Sequence, residues 1–137
     1  AAGAHCAFGA ADGDGAELVR RATEGRGADA VIEAVGTPET WQKALSMTRK
    51  GGRVCLFGGC APQTMVPIDA HRVHYEQLSL LGVFHHTPKY FKAALDLLAT
   101  RRLDPKLLIS SQISLSEVPE FFDRMHTRSN PKVAVIP

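Results

Sequence analysis

The stretch DAVIEAVGTPETWQKALSMTRKGGRVCLFGG, running from Asp29 to Gly59, decides how the chain is read. Ala30-Val31-Ile32-Glu33-Ala34-Val35 is almost unbroken in its apolar character. A strand with one wet face would alternate, so this run predicts a strand covered on both faces by helices. Gly36 then turns the chain. Thr37-Pro38-Glu39 opens a helix for separate reasons: the Thr37 hydroxyl can accept from an orphan N–H, Pro38 has no N–H to lose at the first position, and Glu39 complements the positive end of the dipole. Trp41, Leu45 and Thr48 fall on one side of it, Arg49-Lys50 supplies a basic last turn, and Gly51-Gly52 stops it with residues free to turn left-handed. Arg53-Val54-Cys55-Leu56-Phe57-Gly58-Gly59 is a second near-continuous apolar run. Strand, helix and strand with a crossover of this length predict a right-handed parallel pair.

The pattern extends in both directions. Upstream, Asp14 can cap a helix with Glu17 in its first turn and Leu18, Val19 and Ala22 on one apolar face, broken at Gly25-Arg26-Gly27. Downstream, after a Pro-containing loop, Leu78 to Phe84 reads as a third strand. Thr87-Pro88-Lys89 repeats the cap chemistry of Thr37-Pro38 and opens a helix with Phe91, Leu95 and Leu98 on one face. Leu107 to Ile113 reads as a strand, about Ser116 to Met125 as a helix with Pro119 tolerable in its first turn, and Lys132 to Ile136 as a closing strand.

With 137 residues, 45% of them hydrophobic, the chain can bury a core as one domain or one and a fraction. A net charge of +2 and six scattered His give no basic stripe to follow a phosphate backbone, so nucleic acid is not the expected partner. Cys6, Cys55 and Cys60 are an odd set lying partly in apolar strands, the usage of a reduced, cytoplasmic protein. No apolar run is long enough to span a membrane, and Ala1 to Ala11 lacks the basic start of a secretion signal.

Several positions bear on chemistry. Gly13-Asp14-Gly15 before a helix, with Glu33 further on, approaches a dinucleotide phosphate turn, but Leu18 stands where the third glycine belongs and Asp12 and Asp14 put negative charge where phosphate would sit. A polar turn capped by Asp14 is the better reading. Gly36, Gly58 and Gly59 stand at the carboxyl ends of parallel strands, where open α/β sheets receive ligands; position alone leaves close backbone approach to a ring and simple turn glycines both open. Glu33, inside an apolar strand, needs a partner, and a hydrogen bond to the next loop is favoured over a catalytic role. His71/His74, His85/His86 and the C-x4-C pair Cys55/Cys60 do not make a zinc set. No Gly-x-Ser-x-Gly elbow is present.

Gly27-Ala28-Asp29-Ala30-Val31-Ile32-Glu33-Ala34-Val35-Gly36, then Gly51-Gly52-Arg53-Val54 running into Phe57-Gly58-Gly59, resemble the zinc-type medium-chain alcohol and sorbitol dehydrogenases. Gln77 to Phe84, the helix of Phe91 to Leu98 before Asp104-Pro105, and Pro131-Lys132-Val133 are similar to that family's tail in order and spacing. The resemblance implies an α/β fold: a partial Rossmann-type parallel sheet with helices on its faces, plus a C-terminal strand-helix-strand extension. It implies residues 1–84 as the second half of a dinucleotide-binding domain, and 85–137 as a segment that in the family rejoins the catalytic domain.

The same resemblance implies a C-terminal fragment of a larger NAD(P)-dependent enzyme, NAD favoured, with zinc belonging to the full-length family and not bound by this chain. Ala34, Val35 and Gly36 would pass beside the cofactor riboses, Gly58, Gly59, Val83 and Phe84 would offer backbone groups to the nicotinamide, and Lys132 would reach a phosphate. Residue type alone leaves Lys132 equally open as a solvated lysine. Leu78 to Val83 would be an edge strand pairing with its copy in a homo-oligomer. Leu107 to Ile113 and Lys132 to Ile136 would then pair with each other or with another chain. Alone, the chain is expected to be inactive, and the alternative is a non-catalytic nucleotide-binding or dimerisation module.

Overall fold

A computed structural model describes residues 3–9, 11–124 and 132–137. They divide into two compact units, one within Ala4–His85 and one within His86–Pro137.

In the first unit, helix α1 (Gly15–Ala22) starts where expected, its first turn capped by Asp14, whose carboxylate accepts from the Ala16 amide at 2.9 Å. Strand β1 (Ala28–Glu33), helix α2 (Pro38–Met47), strand β2 (Thr48–Leu56), helix α3 (Ala70–Tyr75) and strand β3 (Ser79–Gly82) follow. The sheet is parallel throughout, in the order β1-β2-β3. The α/β class expected from the sequence is therefore the one adopted.

At the start of α2, Thr37 makes a full capping box with Thr40, its hydroxyl accepting from the Thr40 amide at 3.2 Å. The far end differs from the sequence expectation. The helix stops at Met47, so Arg49 and Lys50 are not its last turn. Between Ala28 and Ala30 of β1 the register of β2 jumps from Thr48 to Arg53, and residues 49–52 bulge outward. The carbonyls left at the end of α2 are met from further along the chain: Arg72 donates to Leu45 O and to Thr48 O, both at 2.8 Å, while pairing with Glu76 at 2.7 Å. Arg49 instead reaches Asp29 of β1, and together with Arg26 holds that carboxyl below its usual range.

The core is small. Val54, fully buried, sits with Ala44, Leu45 and Leu78, and Val31, Leu56 and Leu80 pack against them. Complete burial of one such side chain contributes about 1.5–3 kcal/mol. Register partners share a face of the sheet, so Val31, Val54 and Leu80 form the covered row and Ile32, Cys55 and Leu81 the opposite one. That second row is open, with Ile32 71% and Leu81 50% exposed, so the expectation of cover on both faces of β1 is met on one. β1 also begins and ends two residues earlier than expected, because Glu33 turns the chain just beyond it. The loop after Gly59 holds α3, a helix not read from the sequence; Asp69 caps it by accepting from the Arg72 amide at 3.0 Å.

In the second unit, helix α4 (Pro88–Ala99) leads through a short 3-10 turn (Pro105–Leu107) to strand β4 (Ser111–Ser114). A second 3-10 turn (Leu115–Glu117) leads to helix α5 (Val118–Arg124), and strand β5 (Val133–Ile136) comes last. Thr87 makes no side-chain cap, unlike Thr37. Of the strand expected over Leu107 to Ile113, residues 111–113 are extended, in β4, while Leu107 closes a 3-10 turn in which Asp104 accepts from the Lys106 amide at 2.9 Å and Pro105 favours that local coil. β4 and β5 pair with each other, in parallel. Met125, expected to end α5, lies outside the described residues, as does Pro131 of the family match.

Candidate functional site at the carboxyl ends of the strands

The register places Glu33 beside Leu56 and Leu56 beside Gly82, so all three strands of the first unit end level with one another. Ala34-Val35-Gly36, Phe57-Gly58-Gly59 and Val83-Phe84 therefore leave the sheet from one edge. Most of the residues proposed from sequence are thereby brought together. Lys132 belongs to the second unit, where its carbonyl accepts from the Ser110 amide at 2.9 Å and hydroxyl at 2.8 Å and its side chain is exposed.

Glu33 organises this edge. It is 5% exposed, and its Oε1 accepts from the Val35 amide at 2.7 Å and the Gly36 amide at 2.9 Å, the loop hydrogen bonds expected for it. Its main-chain carbonyl accepts from the amides of Phe57 at 2.9 Å and Gly58 at 2.8 Å. Burial pushes its carboxyl up, yet the Gly36 and Val35 amides, with lesser help from Thr40 and Trp41, outweigh this and hold it below the usual value. Thr40 and Trp41 act at longer range, since they are hydrogen-bonded to Thr37 and to the Gly58 carbonyl. Oε2 is buried and has no hydrogen-bond partner among the described residues.

Two of the three glycines are required by space. Gly36 has φ +85, and a Cβ there would meet Gly59 O at 2.5 Å. A Cβ at Gly58 would lie 2.7 Å from both the Val35 amide nitrogen and Glu33 Oε2. At Gly59 it would meet nothing. The two strand-end segments are thus in backbone contact, and what they present outward is apolar and open: Val35 is 71%, Phe57 66% and Phe84 87% exposed. Such a platform can take the face of a flat, partly polar ring.

The rival positions fare differently. A cavity of about 520 Å³ borders Gly13, Asp14 and Gly15, but Asp14 already occupies the helix start and Lys43, on the cavity wall, is paired with Glu39 at 2.5 Å. Nothing there favours an anion. His71 lies tilted against Tyr75 and His74 meets it edge-on, His85 lies against Phe84, and His86 against Phe91. No group of three His, Cys, Asp or Glu able to hold a metal occurs among the described residues. No described helix is long and apolar enough to cross a membrane.

A parallel sheet in this order with helices packed on it is an α/β arrangement of the Rossmann-like kind. The profile of the family described as zinc-binding dehydrogenase matches residues 1–100, and the chain belongs to that family. A sorbitol dehydrogenase of Bacillus subtilis (strain 168) is 29% identical over 126 residues, which cover 90% of this chain and 35% of that one. Among solved structures, an alcohol dehydrogenase from Thermus sp. ATN1 superposes with a TM-score of 0.83 at 29% identity, over 94% of this chain and 37% of the other. A chain from Sinorhizobium meliloti 1021, described as a zinc-binding dehydrogenase bound to NADP, superposes with a TM-score of 0.75 at 32% identity, over 81% of this chain and 32% of the other. The chain spans about a third of the length of the curated relatives it matches.

Proposed function

We propose that the chain is a C-terminal portion of a zinc-type, NAD(P)-dependent alcohol or polyol dehydrogenase and forms the nicotinamide side of its cofactor cleft. The observation that carries this reading is the level ending of β1, β2 and β3, which sets Ala34 to Gly36, Gly58-Gly59 and Val83-Phe84 along one edge. Backbone groups there, unobstructed by side chains at the glycines, suit a ring bearing a carboxamide. NADP in one structural neighbour and the names of the relatives support a nicotinamide dinucleotide, with NAD the form favoured for this chain. Lys132 serves as a point charge for a cofactor phosphate.

A nicotinamide bound in the whole enzyme would supply the hydride chemistry. The part of these residues is to hold and orient the ring. Residues 1–84 act as half of the dinucleotide-binding domain and 85–137 as a separate segment. The exposed apolar side chains of Leu81 on the edge strand β3 and of Val83 just after it support self-pairing in a homodimer, and three free cysteines support a reducing, cytoplasmic setting.

Isothermal titration with NAD and NADH, paired with sedimentation, tests this. The expected result is cofactor binding by a dimer, with no oxidation of alcohols or polyols when zinc and NAD are added. Enzyme-like turnover would refute the inactive-alone reading. A dimer with no cofactor affinity would favour a non-catalytic assembly module.

A further inference from the structure

We infer that Glu33 is a positioning residue for the cofactor platform, fixing the separation of its two strand-end segments; this rests on the cofactor reading above. Oε1 of Glu33 gathers the amides of Val35 and Gly36, and its main-chain carbonyl gathers those of Phe57 and Gly58. Four donors, two from each segment, thus converge on one residue at the point where β1 and β2 end. From the other side, Trp41 Nε1 donates to the Gly58 carbonyl at 3.0 Å, closing the arrangement.

The spacing so fixed leaves no slack. A single added methyl at Gly36 or Gly58 would collide with the opposite backbone. Removing the side-chain acceptor would orphan two amides at a part-buried turn, and they would rotate outward in search of water. The segments would then part, and a ring would meet a mobile surface instead of a preorganised one. Backbone carbonyls and amides elsewhere on the platform touch the ligand; Glu33 acts through them.

The chain carries its own reporter. Trp41 is the only tryptophan, hydrogen-bonded to the platform itself, and the reduced nicotinamide absorbs where indole emits. Titrating the full chain with NADH or NADPH while following Trp41 emission gives an affinity for the folded molecules alone. Glu33→Ala is expected to weaken NADH binding about tenfold or more, one decade of dissociation constant. Glu33→Gln, which keeps a neutral acceptor, is expected to stay within about threefold of the parent.

Equal affinity in Glu33→Ala and the parent would overturn the positioning role while leaving the cofactor reading intact. Glu33→Gln binding as weakly as Glu33→Ala would also overturn it. No quenching of the parent by either reduced cofactor would overturn the cofactor reading and this role with it. Should Glu33→Ala fail to fold, amide hydrogen exchange in the parent decides the geometric claim. Val35 and Gly36 amides that exchange about tenfold or more slower than an open turn support it; exchange there at the rate of a solvent-exposed turn refutes it.

Discussion

The segment from Ala28 to Leu56 and the one from Pro88 to Ile136 carry similar local signals and come to different ends. Each has a Thr-Pro helix start and a helix with an apolar stripe. In the first, α2 buries Ala44 and Leu45 against Val54. In the second, Phe91 is 57% and Leu95 51% exposed, and no residue of α4, β4 or α5 is classed as buried. Local chemistry is enough to write a helix, but a core needs buried side chains, and α4 has none. The same difference appears at the caps: Thr37 closes a capping box and Thr87 makes no side-chain bond.

Mutations can break this comparison. The largest effect is expected at Gly58→Ala, where a Cβ would press on the Gly36 and Val35 amides and on Glu33; overpacking of that kind should cost about 3 kcal/mol of unfolding free energy in urea. Gly59→Ala, with open space around it, should be nearly neutral in the same measurement. Next comes Val54→Ala, expected to cost about 2 kcal/mol, against less than about 0.5 kcal/mol for Leu95→Ala. If Leu95→Ala proved the more costly, the second segment would hold a core that these contacts do not account for.

Thr37→Ala should lose about 1 kcal/mol and Thr87→Ala a few tenths, read from helix-reporting circular dichroism during unfolding. The smallest effect is a slope with pH. Because the Glu33 carboxyl is held below its ordinary value of 4.5 in the folded chain, its stabilisation is fully present above that pH and is lost as pH falls through the folded value. Glu33→Gln should therefore flatten the acid limb of the unfolding curve. An unchanged limb would mean that the carboxylate is not held as described.

What was legible in the sequence follows the same division. Thr37-Pro38, the apolar runs of β1 and β2, the Asp14 cap and the loop partner of Glu33 could all be read, because in each the local preference and the tertiary contact agree. The end of α2 could not be read, because its carbonyls are met by Arg72, which is distant in sequence and lies in a helix with few apolar residues. Yet α3 did leave a signal: Asp69 in capping position, and Arg72 four residues before Glu76. At Leu107 an apolar run suggested a strand, but Asp104-Pro105 imposed a turn. The glycines of the platform were visible as strand-end residues; that Gly36 and Gly58 are in backbone contact, and that Glu33 gathers both segments, depends on register that no single run records.

The most direct test of the central claim is a backbone amide NMR titration of the full chain with NAD. Shifts concentrated at residues 34–36, 57–59 and 83–84, with Gly13 to Gly15 unmoved, are the predicted result. Shifts centred on Gly13 to Gly15, or none at the strand ends at saturating cofactor, would contradict the account.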